Sequence, residues 1–240
     1  MSRNIIDVYD RSIFEMKNLF TPEECKEYIE YYEKRLPKFQ GNSIDKSGNI
    51  ITDTNFKDSI DAHLFGDGRA PNQPPTAQRL WNLYMDKLKI CHSEYMKHVS
   101  PLDPSEALAG HPLILKNFML RGRSTTPQLQ RTDKGRNGFN WHTDASGCGG
   151  KENRNLAVII YLNDIDEANG GSTEFNSGRK VQPEMGKALF FPASHLHIHR
   201  GNPILNGPSK YIITSFIEEW SKDSWQTDIR HLKGLVIQNP

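Results

Sequence analysis

The hydrophobic period of this chain changes once, near residue 111, and no other feature limits its possible folds as much. Before that point the apolar residues recur at helical spacing. Beyond it, as far as about residue 220, they come in short runs broken by Gly, Pro, Asn and Asp. The candidate strands are 113–120, 128–132, 138–144, 156–162, 172–175, 187–191, 196–200 and 211–219. Two helices followed by about eight short strands describe an α+β chain whose strands close into a sandwich or jelly roll, with the helices packed on one sheet. No repeat with a period of about 20–50 residues is present, which removes solenoids and propellers.

The first helix is signposted by Thr21-Pro22-Glu23-Glu24, a capping hydroxyl, a proline at the first helical position and a glutamate at the third. Cys25, Ile29, Tyr32 and Leu36 follow as an apolar stripe, and Pro37 ends the run. A second helix is expected over about 77–98, with Trp81, Tyr84, Met85, Leu88, Cys91 and Tyr95 on its core face. Between them, 41–76 is polar and rich in Gly, Asp, Asn and Pro, which reads as a long loop with one hairpin, of the kind that forms binding loops and lids. At 240 residues the expectation is one domain, with a helical part over about 1–110, a jelly-roll core over about 111–220, and a C-terminal segment, 221–240, that the pattern does not place.

Charge narrows the function. Thirty Lys and Arg against 29 Asp and Glu leave no excess that would capture nucleic acid or an acidic membrane. No apolar run approaches the roughly 20 residues of a membrane span, and the first residues carry no signal core. Cys25, Cys91 and Cys148 are few, odd in number and far apart, as expected of reduced thiols in a cytoplasmic protein.

The most informative short segment is Trp141-His142-Thr143-Asp144. Side chains alternate along a strand, so His142 and Asp144 project together while Thr143 points away. One more imidazole from a neighbouring strand would complete a two-histidine, one-carboxylate set, which binds one face of an octahedral iron(II) and leaves other positions open. The segment 194–199 offers His195, His197 and His199 at alternate positions, all on one face of a regular strand, and any of the three fits that role.

These residues fall in an ordered series. His142-Thr143-Asp144 is followed by Tyr161-Leu162-Asn163-Asp164, then Gly170-Gly171-Ser172-Thr173-Glu174-Phe175 and Gly186-Lys187-Ala188-Leu189-Phe190-Phe191. Last come His199-Arg200-Gly201-Asn202-Pro203-Ile204 and Lys210. Over residues 128–219 the series resembles the catalytic core of the iron(II) and 2-oxoglutarate dependent dioxygenases, and within them the prolyl 4-hydroxylases. That resemblance implies a double-stranded β-helix, with Fe(II), 2-oxoglutarate and O2 as cofactors and ascorbate as a reductant. It selects His199 as the third ligand, since only His199 stands in the His-x-Gly-x-Pro context, and leaves His195 and His197 as polar lining. It gives Lys210 the distal carboxylate of 2-oxoglutarate, with Tyr161 donating a hydroxyl to the same carboxylate. Two departures bear on that pocket. Ala157 stands where many members have a threonine and Thr132 where many have a tyrosine, so Thr132 or Thr214 is expected to supply the missing contact.

The activity so implied is hydroxylation of an unactivated C–H bond, in a prolyl residue of a peptide or protein, with release of succinate and CO2. The polar stretch 41–76 and the glycines Gly147, Gly149 and Gly150 are placed to act as lids over such a peptide. The alternatives are the same chemistry on a free amino acid or small metabolite, or a non-catalytic metal-binding jelly roll. Zinc hydrolysis lacks a clearly placed glutamate base, and nucleic-acid demethylation lacks both a basic stripe and a second arginine soon after Lys210.

Overall fold

The structure is a computed structural model that describes residues 11–44, 49–64, 74–99, 122–145 and 153–219. The strand expected over 113–120, the Gly147–Gly150 loop and the C-terminal segment lie outside these residues. Two helices are present among the described residues, α1 (Pro22–Arg35) and α2 (Pro75–Val99). Fourteen strands accompany them: β1 (Phe14–Met16), β2 (Phe39–Gln40), β3 (Ser43–Ile44), β4 (Ile50–Ile51), β5 (Ile60–His63), β6 (Gly122–Ser124), β7 (Gln128–Thr132) and β8 (Phe139–His142), then β9 (Asn153–Tyr161), β10 (Thr173–Phe175), β11 (Lys180–Val181), β12 (Ala188–Pro192), β13 (His199–Gly201) and β14 (Lys210–Glu219).

The capping box that begins α1 is formed as expected: the Glu24 amide donates to the Thr21 hydroxyl, and the Thr21 amide donates to the Glu24 carboxylate at 2.8 Å. The buried residues of α1 are Cys25, Tyr28, Tyr31 and Tyr32, with Ile29 only half-buried. Its two innermost tyrosines do not leave their hydroxyls idle: Tyr28 donates to the Leu80 carbonyl of α2 at 2.6 Å and Tyr32 to the Ile60 carbonyl at 2.9 Å. One bond ties α1 to α2 and the other ties α1 to β5 of the sheet.

An eight-stranded antiparallel sheet runs β1-β12-β9-β14-β7-β5-β2, with β6 also on β14, and faces a four-stranded sheet ordered β11-β10-β13-β8. Together these are the two walls of a double-stranded β-helix. Strand alternation on the large sheet divides the core in two. Leu129, Leu156, Val158, Ile160, Phe190 and Ile213 pack outward against the helices, whereas Ala157, Ile159, Tyr161, Phe175, Leu189 and Phe191 fill the space between the sheets. Burying one such aliphatic side chain contributes roughly 1.5–3 kcal/mol, so the outer layer alone anchors α1 and α2 firmly.

The stretch expected as a polar loop is built more tightly into the molecule than its composition suggests. β3 and β4 form the expected hairpin, but 56–63 also joins the two sheets. Lys57 bridges Phe139 of β8, Asn140 donates its amide to the Phe56 carbonyl at 2.7 Å, and three residues later β5 pairs with β7. Alternation could not reveal this, because the inward groups are polar: Lys57 and Asp61 form a buried ion pair of 2.6 Å, and Ser59 donates to the same carboxylate at 2.7 Å.

Candidate metal and cosubstrate site

His142 ends β8 and His199 begins β13, and the antiparallel register places them directly opposite each other. Asp144 follows two residues after His142, on the same side. Its two carboxylate oxygens lie 3.6 Å from His142 Nε2 and 3.5 Å from His199 Nε2. One donor atom from each of the three falls within 4.8 Å of the others, and this is the one such group among the described residues.

The far side of each imidazole is already committed. His142 Nδ1 lies 2.7 Å from the Asn140 carbonyl, and His199 Nδ1 lies 3.0 Å from the His197 carbonyl. A carbonyl only accepts, so both rings carry their proton on Nδ1 and turn the Nε2 lone pair toward Asp144. Phe139 stacks on His142, with ring centroids 3.6 Å apart at 17°, and Phe191 meets His199 edge-on at 4.7 Å. These aromatic walls fix ring orientation and lower the local dielectric.

Protonation states follow. Burial pushes His199 down to about 4, which keeps it neutral at physiological pH. Burial works the other way on Asp144, but His199, His142 and Arg154 outweigh it and hold the carboxyl below its ordinary value. A neutral His199 imidazole and an ionised Asp144 carboxylate are forms that a divalent cation requires of its ligands.

The triad opens into a cavity of about 690 Å³. One wall is the inner face of β14, presenting Lys210, Ile212, Thr214 and Phe216, and beside it β7 presents Gln128, Gln130 and Thr132. Lys210 is only 4% exposed, and its Nζ donates to the Gly171 carbonyl at 2.9 Å. Among the described residues no carboxylate pairs with it, and burial lowers it to about 8. The Gly170-Gly171 pair creates that contact. Both have positive φ, 79° and 72°, and a Cβ on Gly170 would stand 2.3 Å from the Pro203 carbonyl, so only glycine lets the chain turn its carbonyl toward Lys210.

The other expected residues divide. Thr132 is buried on the cavity wall opposite Lys210 in register, and Thr214 lies on the same wall. Tyr161 does not line the cavity: its hydroxyl is 2.7 Å from Thr173 Oγ1, and the buried Thr173 is the side chain on the cavity wall. The three alternate histidines do not share a strand face. His197 N donates to the Ser194 carbonyl at 3.0 Å, closing a turn before β13 begins. His195 is exposed, and His197 is buried between Ser12 and Ser194, outside the triad.

Sequence reasoning missed several lining residues. Gln128 and Gln130 were within reach, since they alternate with Thr132 on β7. Arg154, whose guanidinium stacks 3.9 Å above the Phe216 ring, was not. Counting back from Tyr161 puts Asn155, not Arg154, on the inner face, but a register shift pairs Leu156 with Ile217 and Arg154 with Glu218 and turns the arginine inward.

Residues 127–218 match the family model of the 2OG-Fe(II) oxygenase superfamily. Over this segment, which is less than half of the chain, the protein is similar to that superfamily. The matched residues hold the triad, the Gly170-Gly171 turn and Lys210. Solved structures give the same fold at low identity. A viral collagen prolyl hydroxylase from Paramecium bursaria Chlorella virus-1, in complex with 2OG, is 17% identical, with a TM-score of 0.56 over 90% of this chain and 100% of that one. A prolyl hydroxylase from Trichoplax adhaerens, bound to a peptide fragment of the hypoxia inducible factor oxygen degradation domain, is 15% identical, with a TM-score of 0.58 over 96% and 91%. A Pseudomonas putida prolyl-4-hydroxylase is 11% identical, with a TM-score of 0.52 over 90% and 98%. No curated protein sequence matches.

Proposed function

We propose that this protein is an Fe(II) and 2-oxoglutarate dependent dioxygenase that hydroxylates an unactivated C–H bond, with a prolyl residue in a peptide or protein as its substrate. The observation that carries the proposal is the pairing, in one cavity, of a two-histidine, one-carboxylate set with both Nδ1 atoms committed and a buried lysine that no carboxylate among the described residues neutralises. A catalytically silent jelly roll would have no use for that ammonium.

In this reading His142, Asp144 and His199 hold the iron, and their fixed tautomers spare the site any rearrangement on loading. When bound, iron(II) with 2-oxoglutarate supplies the oxidation, in which O2 and the keto acid yield succinate, CO2 and one oxygen atom placed on carbon. Lys210 pairs with the distal carboxylate of 2-oxoglutarate, and burial makes that contact stronger than a surface pair. Thr132, standing where many relatives have a tyrosine, and Thr214 offer hydroxyls on the cavity wall that compensate for Ala157, which stands where many have a threonine. Tyr161 acts from behind, orienting the Thr173 hydroxyl toward the cavity. Phe139, Phe191 and Ile159 keep water from the reacting centre.

The prolyl peptide is the part of the reading that draws on likeness: relatives titled prolyl hydroxylases share the fold, and one holds a peptide. Mass spectrometry over a panel of proline-containing peptides, with succinate measured in parallel, tests it. Gain of one oxygen atom on a prolyl residue, matched by succinate, is the expected result. Gain of the same atom on free amino acids, with none on peptides, would move the substrate to the small-metabolite class.

A further inference from the structure

We infer that His197 is a positioning residue for the metal site, holding the loop that carries His199 against both the N-terminal segment and the loop that carries Asp144.

The contacts form a continuous chain. His197 Nε2 lies 2.7 Å from Ser12 Oγ and His197 Nδ1 lies 2.8 Å from Ser194 Oγ. The ring is therefore gripped at both nitrogens by groups 182 positions apart in sequence. Its own backbone carbonyl is the acceptor that sets the tautomer and tilt of His199. The Ser194 carbonyl, in turn, accepts from Thr143 Oγ1 at 3.1 Å, and Thr143 sits between the two ligands His142 and Asp144. Fixing the His197 ring thus fixes the carbonyl behind one ligand and, through Ser194, the backbone between the other two.

The far end of the chain is anchored. The Arg11 carbonyl accepts from His98 Nε2 at 2.9 Å near the end of α2, Ile13 is buried between the sheets, and β1 pairs with β12. Ser12 is held between these fixed points, so it works as a post rather than a tether. An imidazole suits the task, since in its neutral form it donates at one nitrogen and accepts at the other, and a hydroxyl answers either role. The aliphatic side chains that neighbour it in sequence, Leu196 and Ile198, are exposed, so burial of His197 is specific to that position.

The test is metal affinity, measured without turnover. Cobalt(II) is titrated into the metal-free full-length protein and followed by its visible absorption, alongside thermal melting of the same samples. His197→Phe keeps the bulk and removes both hydrogen bonds; loss of an outer partner of this kind weakens metal binding about 10- to 100-fold. Ser12→Ala, remote from the metal, removes the bond to His197 Nε2 and is expected to weaken it about 2- to 10-fold. His197→Gln, which again offers a donor and an acceptor, should recover part of the affinity lost in His197→Phe. Should His197→Phe fail to fold, Ser12→Ala and His197→Gln against wild type decide the matter. Cobalt affinity and spectrum equal to wild type in Ser12→Ala and His197→Phe, whatever their melting temperatures, would overturn the inference. Failure of the wild type itself to bind cobalt would overturn the metal-site reading along with it, so the two failures are distinguishable.

Discussion

The two faces of β14 carry different kinds of residue. Outward, Ile213 and Ile217 pack under the helices, with Ser215 between them bonded to the Tyr84 hydroxyl of α2. Inward, Lys210, Ile212, Thr214 and Phe216 line the cavity. The same division runs through β9, where Leu156, Val158 and Ile160 join the helical core while Ala157, Ile159 and Tyr161 face the space between the sheets. Strand alternation therefore assigns cohesion to one set of side chains and chemistry to the next, a single residue apart. The two sets should respond to substitution in different currencies, stability for one and ligand requirement for the other.

The largest effect is expected at the metal set. His142→Ala, Asp144→Ala or His199→Ala should reduce iron-dependent succinate formation to background, while the melting temperature of the metal-free protein changes little. Unfolding of all three variants would break the comparison, because the inner set would then be holding the fold. Next comes the outer face. Ile213→Ala should lower stability by about 2–5 kcal/mol in urea denaturation, with the 2-oxoglutarate requirement of the folded fraction unchanged. A raised requirement there would show that the faces are coupled.

Lys210→Ala is the inward counterpart, two strand repeats from Thr214 on the same wall. Loss of a hydrogen bond to a charged group corresponds to about 1.5–3 kcal/mol, so the 2-oxoglutarate requirement should rise about 10- to 100-fold. The smallest effect is in pH. Burial lowers Lys210 to about 8 in the free protein, and only the protonated ammonium attracts the carboxylate. Binding is therefore complete below that value and is lost as pH rises through it, by about tenfold per unit at the limit. The dissociation constant for 2-oxoglutarate, measured from pH 7 to pH 9, should climb in wild type and stay level in Lys210→Arg, whose guanidinium remains charged.

What could be read from the chain follows from the same division. β9 and β12 were legible as short, nearly continuous apolar runs bounded by polar and turn residues, and β14 by the apolar run Tyr211–Ile213 with Phe216 and Ile217. The triad and Lys210 were legible because they sit in short motifs whose order is long enough to be specific. The closure of the two sheets by 56–63 was hidden, since the ion pair of Lys57 and Asp61 replaces the apolar signal that marks a buried strand. Arg154 was hidden by a bulge that reverses alternation, and the regular strand expected over 196–200 gave way to a turn closed by the Ser194 carbonyl. The very short strands β1, β6 and β11 have too few residues for any period to emerge. Tyr161 was assigned to the cavity by likeness, and its depth behind Thr173 depends on packing that a motif does not encode.

The central claim is that three ligands and one lysine form a single binding site for iron(II) and 2-oxoglutarate. Anaerobic calorimetric titration of 2-oxoglutarate into wild type with and without iron(II), and into iron(II)-treated His199→Ala and Lys210→Ala, tests it most directly. Binding that requires the metal in wild type, disappears in His199→Ala and weakens in Lys210→Ala is the predicted result. Equal binding with and without iron(II), or binding in His199→Ala as tight as in wild type, would contradict it.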